Sequence, residues 1–337
     1  MTGPMTGPMT GPMTGPMTGP MTGPMTGTVA LALQVILVAA GAPLLIGLMR
    51  QVRARLEGRA GAGVLQPWRD LRKLARREPI SPPGSGVFFT AAPPVLAATS
   101  LLAAAVVPLV STRTPLDGSI DLIAVVGLLL LGTVALALAG LDTGTAFGGM
   151  GASREMTIAA LVEPTLLLSV LALSVRAGTT NLGAIVSAGV HDPSRVVSPA
   201  GALAAAALAI AVLAEAGRLP VDNPATHLEL TMVHEAMTLE YSGRDLALVE
   251  WAAAARTTLL LGLLATLFLP WGVATGTGPL ALLTATAAFA AKTGLLAAGL
   301  AAAEVWLAKV RLFRVPELLA GSFVLALLAV MASFMLV

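Results

Sequence analysis

The 337-residue chain has no cysteine, so it forms no disulfide, no thiolate zinc site and no cysteine-ligated iron–sulfur cluster. Any electrons its activity uses must travel on another polypeptide. Charge is scarce as well. Asp, Glu, Lys and Arg make up 11% of residues, about half the share usual in soluble globular proteins, which excludes an ordinary water-soluble enzyme. Aromatic residues make up 4% and the net charge is +2, so the basic surplus and interleaved aromatics of a nucleic-acid-binding surface are both missing. No nucleic-acid partner is expected. What is abundant is apolar: 56% of residues, with a mean hydropathy of +0.86.

Residues 1–28 stand apart from the rest, as six Met-Thr-Gly-Pro units and one Met-Thr-Gly-Thr unit. Proline and glycine in every full unit oppose a helix, and nothing larger than methionine is present to build a core. A disordered low-complexity tail is expected, followed by a single domain over 29–337. The tail has no basic region and no continuous apolar stretch, so it does not read as a signal peptide.

Beyond it, apolar runs recur at about the ~20 residues that a spanning helix needs. They cover 29–49, 87–110, 120–141, 156–176, 199–215, 246–270, 279–307 and 317–337. The fold expected is an all-α integral membrane protein of about eight transmembrane helices, with Pro93-Pro94 and Pro164 breaking or kinking two of them. Nine basic residues between Arg50 and Gly86 place that loop in the cytoplasm. An even number of spans then leaves both termini outside, in a cell inner (cytoplasmic) membrane.

Within this basic loop, Leu65, Trp68, Leu71, Leu74 and Ala75 follow helical spacing while Arg69, Arg72, Lys73, Arg76 and Arg77 take the other face. This reads as an amphipathic helix with one face for anionic headgroups and scope to dock a soluble partner. A second cytoplasmic loop is acidic: Glu215, Asp222, Glu229, Glu235, Glu240, Asp245 and Glu250 against Arg218 and Arg244. Asn223-Pro224 supplies a cap and a first-turn proline, so a helix is expected from there to about Tyr241. On it Glu229 and Glu240 would share a face.

Glu163, Arg256 and Lys292 fall inside the apolar runs. A charge at the bilayer centre costs about 2.5–3.5 kcal/mol, so such residues face the bundle interior and pair. Glu163 and Lys292 are therefore candidates for an ion or proton path. Metal and nucleotide motifs fail on spacing. Four residues after His234 stands Thr238, where a zinc-protease helix needs histidine. His227 and His234 are too far apart along a helix to share a metal. Gly144, Gly148, Gly149 and Gly151 lack the phosphate-loop lysine and read as a flexible turn.

The residues resemble a known family: the membrane protein called subunit 1 of respiratory complex I and its relatives in membrane-bound hydrogenases. The resemblance runs through the whole chain after the tail. Its carriers are the run from Gly63 to Leu74, the run Glu215-Ala-Gly-Arg-Leu-Pro-Val-Asp-Asn-Pro224 with Glu229-Leu230 and Glu240-Tyr-Ser-Gly243, and Ser153-Arg-Glu-Met156 leading to Glu163-Pro164. The run from Thr226 to Glu235, that from Ser242 to Leu248, and Arg311 to Glu317 are most similar to formate hydrogenlyase and related group 4 nickel–iron hydrogenases.

The resemblance implies a glutamate chain at Glu163, Glu215, Glu229 and Glu240, running from the soluble redox arm into the membrane, with Lys292 as a further candidate from its position in a span. Gln66, Asp70, Arg218, Asp222 and Arg244 are expected to organise the loops or the interface. It also implies no cofactor in this chain. Iron–sulfur clusters and a nickel–iron site would lie on partners: hydrogenase large and small subunits, an iron–sulfur subunit and antiporter-like membrane subunits. The function expected is a non-redox membrane subunit that anchors the arm and couples electron transfer to proton or sodium translocation. Two alternatives stay open: the quinone-site subunit of an NADH or ferredoxin dehydrogenase, and a stand-alone secondary transporter, although no internal repeat is visible.

Overall fold

The computed structural model describes residues 23–116, 121–218, 221–222, 232–276, 278–307 and 314–335. In chain order the helices are α1 (Gly23–Leu56), α2 (Gln66–Ala75), α3 (Val87–Val106), α4 (Leu122–Asp142), α5 (Ala146–Ala177) and α6 (Leu182–His191). A short turn at Pro193–Arg195 leads to α7 (Pro199–Glu215), α8 (His234–Thr238), α9 (Gly243–Phe268), α10 (Pro279–Trp306) and α11 (Val315–Met335). The protein is an all-helical, multi-pass membrane protein. Among the described residues there is no sheet, only a parallel bridge between Ser111 and Ala274.

Seven helices, not eight, are long and apolar enough to cross a membrane. The exception is α7, whose 17 residues reach ~25 Å, short of the ~30 Å hydrocarbon layer. It stops at Glu215 because that carboxylate is held inside the bundle by Arg256, and the left-handed backbone at Gly217 (φ +58°) then turns the chain.

Three further expectations are corrected. The helix starts at Gly23 rather than Val29, with Pro24 in the first turn, where a backbone N–H has no helical partner in any case; residues 1–22 lie outside the described residues. The glycine-rich stretch is not a flexible turn: past Gly144 it is helix, capped by the Thr145 hydroxyl, which accepts from the Gly148 N–H. Its glycines are needed for close packing, since a Cβ on Gly151 would lie 2.8 Å from the Ala236 Cβ. The acidic-loop helix reaches neither back to Asn223 within the described residues nor forward to Tyr241; α8 has five residues, and 223–231 lie outside the described residues. Ala236 and Met237 are buried against the glycine face of α5, and Tyr241 is drawn away to α3.

Prolines do not break the spans, because α1 runs through Pro43, α3 through Pro93 and Pro94, and α5 through Pro164. Each proline lacks the N–H that would serve the carbonyl four residues earlier. Two of these carbonyls are served from elsewhere. The Trp251 indole donates to the Ala39 carbonyl at 2.9 Å, and the Tyr241 hydroxyl donates to the Phe89 carbonyl at 2.7 Å with its ring stacked on Phe89.

The bundle is arranged around α9, which packs on α1, α2, α3, α7 and α10; α11 closes the far side against α5 and α7. The apolar window of α9 is 72% buried and that of α10 is 28%, which sets centre against rim. At one end, Asp142 caps α3 by accepting from the N–H groups of Gly86 and Phe89, and Ser242 is bonded to Ile80. At the other end Gln34 donates to the Ala104 and Ala105 carbonyls and Arg176 to those of Ser194 and Arg195. The start of α1 and the end of α11 lie at this second end, where Ala329 and Val330 pack with Ala172 and Ala204.

Candidate functional site

Arg256 is the centre of the site. It projects from α9 towards α4, where Nη1 donates to the Leu129 carbonyl at 2.8 Å and Nη2 to the Thr133 hydroxyl at 2.6 Å. The same Nη2 bonds Glu215 at the end of α7 and stands 3.8 Å from Glu163 of α5. One guanidinium thus holds two carboxylates from two helices. It fits because residue 132 is glycine: a Cβ there would meet Nη1 at 3.1 Å. Glu163 is buried and neither of its oxygens accepts a hydrogen bond. Charged, such a group is costly in low dielectric, so protonation, water or Arg256 must balance it.

A cavity of about 610 Å³ reaches this cluster from the α2 end of the bundle. At its mouth Arg50 and Asp70 are exposed and 3.9 Å apart. Deeper, the buried Glu304 of α10 lies 3.8 Å from Arg53 and 3.7 Å from Arg218. Glu215, His234 and Arg256 form part of the inner wall. Beyond them a void of about 30 Å³ is bordered by Ser100, Thr133 and Glu155 as well, enough for about two waters.

The chain over the cavity is shaped by Asp222. This buried carboxylate accepts from the N–H groups of Val233 and His234 at 3.3 and 3.4 Å. Burial pushes the His234 imidazole below its ordinary pKa; Asp222 and Glu215 pull it up and Arg256 pushes it down. Burial holds the Tyr241 hydroxyl above its usual range, which keeps it a donor to Phe89. Among the described residues no group of three or more His, Asp or Glu side chains is placed to hold a metal ion.

The sequence candidates divide. Glu163 and Glu215 come together on Arg256, and Asp222 and Arg218 stand at the cavity beside them. Glu240 sits on an exposed turn and Arg244 is exposed. Glu229 lies outside the described residues. Gln66 donates to Asp70 within α2 at 2.9 Å. Lys292 does not meet Glu163: its ammonium donates to the Leu269 and Trp271 carbonyls, at the end of α9 far from the cavity. Sequence reasoning passed over Glu155 and Glu304 and weighed His234 only as a metal ligand. Glu304 had a readable signal, a carboxylate near the end of an apolar run with arginines in two nearby loops.

The sequence profile of the family described as NADH dehydrogenase matches residues 28–335. Hydrogenase-4 component C of Escherichia coli (strain K12) is 38% identical over 303 residues, 89% of this chain and 93% of that protein. Formate hydrogenlyase subunit 4 of the same organism is 37% identical over 71% of this chain and 77% of its own length. A membrane subunit of the NADH-quinone oxidoreductase of Syntrophobacter fumaroxidans is 32% identical, covering 72% and 75% respectively. In fold, a chain of the membrane-bound sulfane sulfur reductase, an archaeal respiratory membrane complex, superposes with a TM-score of 0.78 at 20% identity, covering 91% of this chain and 99% of that one.

Proposed function

The chain belongs to the NADH dehydrogenase subunit 1 family, with homologues in hydrogenase-4, formate hydrogenlyase and complex I, and from that membership we propose that it is the membrane subunit of a complex I-like hydrogenase. It anchors a soluble redox arm and couples hydrogen chemistry to proton or sodium movement. The observation that carries this reading is the Glu163–Arg256–Glu215 cluster at the inner end of a cavity. A carboxylate poised between charged, paired and neutral states is what stepwise ion transfer requires.

The partners are hydrogenase large and small subunits, an iron–sulfur subunit and antiporter-like membrane subunits, with the clusters and the nickel–iron site on those chains. The basic loop faces the cytoplasm of a cell inner membrane, and both termini lie outside. The test uses inverted membrane vesicles containing the whole complex: hydrogen turnover is followed together with ion uptake. Uptake that depends on turnover and collapses with an ionophore supports the reading. Turnover without uptake refutes it.

The cavity volume supports a second reading, a quinone-site subunit, because about 610 Å³ lies within the usual range of ligand pockets. Reduction of a short-chain quinone by the assembled complex would favour it. The charged walls, with Asp70, Glu215, Asp222, Glu250 and Glu304 facing four arginines, favour water and ions instead.

A further inference from the structure

Among the described residues three ionisable side chains border both the large cavity and the small void beneath it: Glu215, His234 and Arg256. Arg256 keeps its proton at any working pH. Glu215 is engaged with Arg256 and with the Thr133 hydroxyl. The His234 imidazole differs from both, because a neutral ring can take a proton on one nitrogen and release one from the other. Its place is fixed from two sides. Asp222 accepts from its backbone N–H, and the positive φ of Gly217 brings the end of α7 to it, where an added Cβ would lie 3.8 Å from the His234 Cβ.

We propose that His234 is the proton-relay residue between the cavity and the carboxylates of Glu155 and Glu215 at the inner void. This rests on the coupling function proposed above and names its entry step. A cavity water gives a proton to one ring nitrogen, forming the imidazolium. The N–H bond at the other nitrogen then breaks, and its proton passes to water in the void or to a carboxylate oxygen there. The ring returns to its neutral form by exchanging tautomers, with one proton moved inward and no electron transferred. Burial favours this cycle, because it keeps the resting ring neutral near pH 7.

The test again uses inverted vesicles with the whole complex, comparing wild type, His234→Gln and His234→Ala with assembly checked in each. Glutamine keeps polar contacts but does not titrate; alanine opens space that the cavity connects to the medium. Ion uptake per turnover is expected to fall about 10-fold or more in both, in line with the loss of a proton-transfer group. Imidazole added outside is expected to restore uptake in His234→Ala, and pyrazole, of the same shape but far less basic, is not. Wild-type uptake in His234→Gln overturns the proposal. So does equal rescue by both azoles, or no rescue in assembled His234→Ala. Absence of uptake in wild-type vesicles would instead count against the coupling function itself.

Discussion

Arg256 lies against Gly132: the guanidinium Nη1 is 3.1 Å from where a Cβ on that glycine would stand. The arginine reaches the Leu129 carbonyl and Thr133 across this gap, so the glycine on α4 sets the position of a charge on α9. Gly132→Ala is expected to displace Arg256 and lower both thermal stability and ion uptake. Gly127→Ala on the same helix meets nothing within 4 Å and should be neutral or stabilising by about 0.5–1 kcal/mol, the usual gain of alanine over glycine in a helix. Thermal unfolding of the purified complex compares the two.

Glu163→Gln and Glu215→Gln keep shape and remove the titratable proton. Each is expected to leave the complex assembled and to cut ion uptake about 10-fold or more, with turnover falling as well if coupling is tight. Arg256→Ala is different in kind. It strips two buried carboxylates of their partner, a loss on the order of 3–5 kcal/mol, and should show as failed assembly. Normal uptake in both glutamine variants would remove these residues from the path.

Tyr241→Phe keeps the ring stack on Phe89 but deletes the hydroxyl that serves the Phe89 carbonyl. A buried acceptor left unmet costs about 1–3 kcal/mol. Because Pro93 is the reason that carbonyl needs an outside donor, Pro93→Ala should recover part of the loss in the Tyr241→Phe background. Thermal unfolding of the double variant measures the recovery.

The depressed pKa of His234 has a definite sign in stability. The unfolded ring, titrating near 6.5, binds its proton before the folded one does. Folding is therefore favoured above about pH 6.5 and loses ground as pH falls from there towards the lower folded pKa. Melting temperatures taken from pH 7.5 to 5.5 should fall less steeply in His234→Asn than in wild type. Equal slopes would mean that the imidazole is not sequestered.

Reporter fusions address orientation. The α2 loop lies at one end of the bundle, and the start of α1 and the end of α11 lie at the other. Fusions after Arg77 and after Val337 should report opposite sides of the membrane. The same side for both would contradict α7 as a crossing element.

Legibility in the sequence followed locality. The long spans and α2 were readable because hydropathy and its period are carried by neighbouring residues. Glu163 was readable because a carboxylate inside an apolar run needs a reason. Arg256 stood out for the same cause, but its pairing with Glu215 depends on a glycine 124 positions earlier (256 − 132), which no window reveals. Gly148, Gly149 and Gly151 looked like a turn because glycine is a poor helix former; packing against α4 and α8 overrode that preference. His234 was weighed as a metal ligand and set aside on spacing. Its position between two spaces comes from Asp222 and Gly217, not from any neighbour in a motif.

The Trp251 indole on the Ala39 carbonyl also bears on how the protein is made. Pro43 leaves that carbonyl without a donor in its own helix, and in lipid an unserved carbonyl costs several kcal/mol. The chain is synthesised from its N-terminus, and the tryptophan emerges 212 residues after its acceptor. Throughout that interval the first span sits in the membrane unfinished, waiting for water, an insertion factor or a later helix. A nascent chain cut short before α9 should therefore be held by the quality-control machinery rather than released as a stable half-protein.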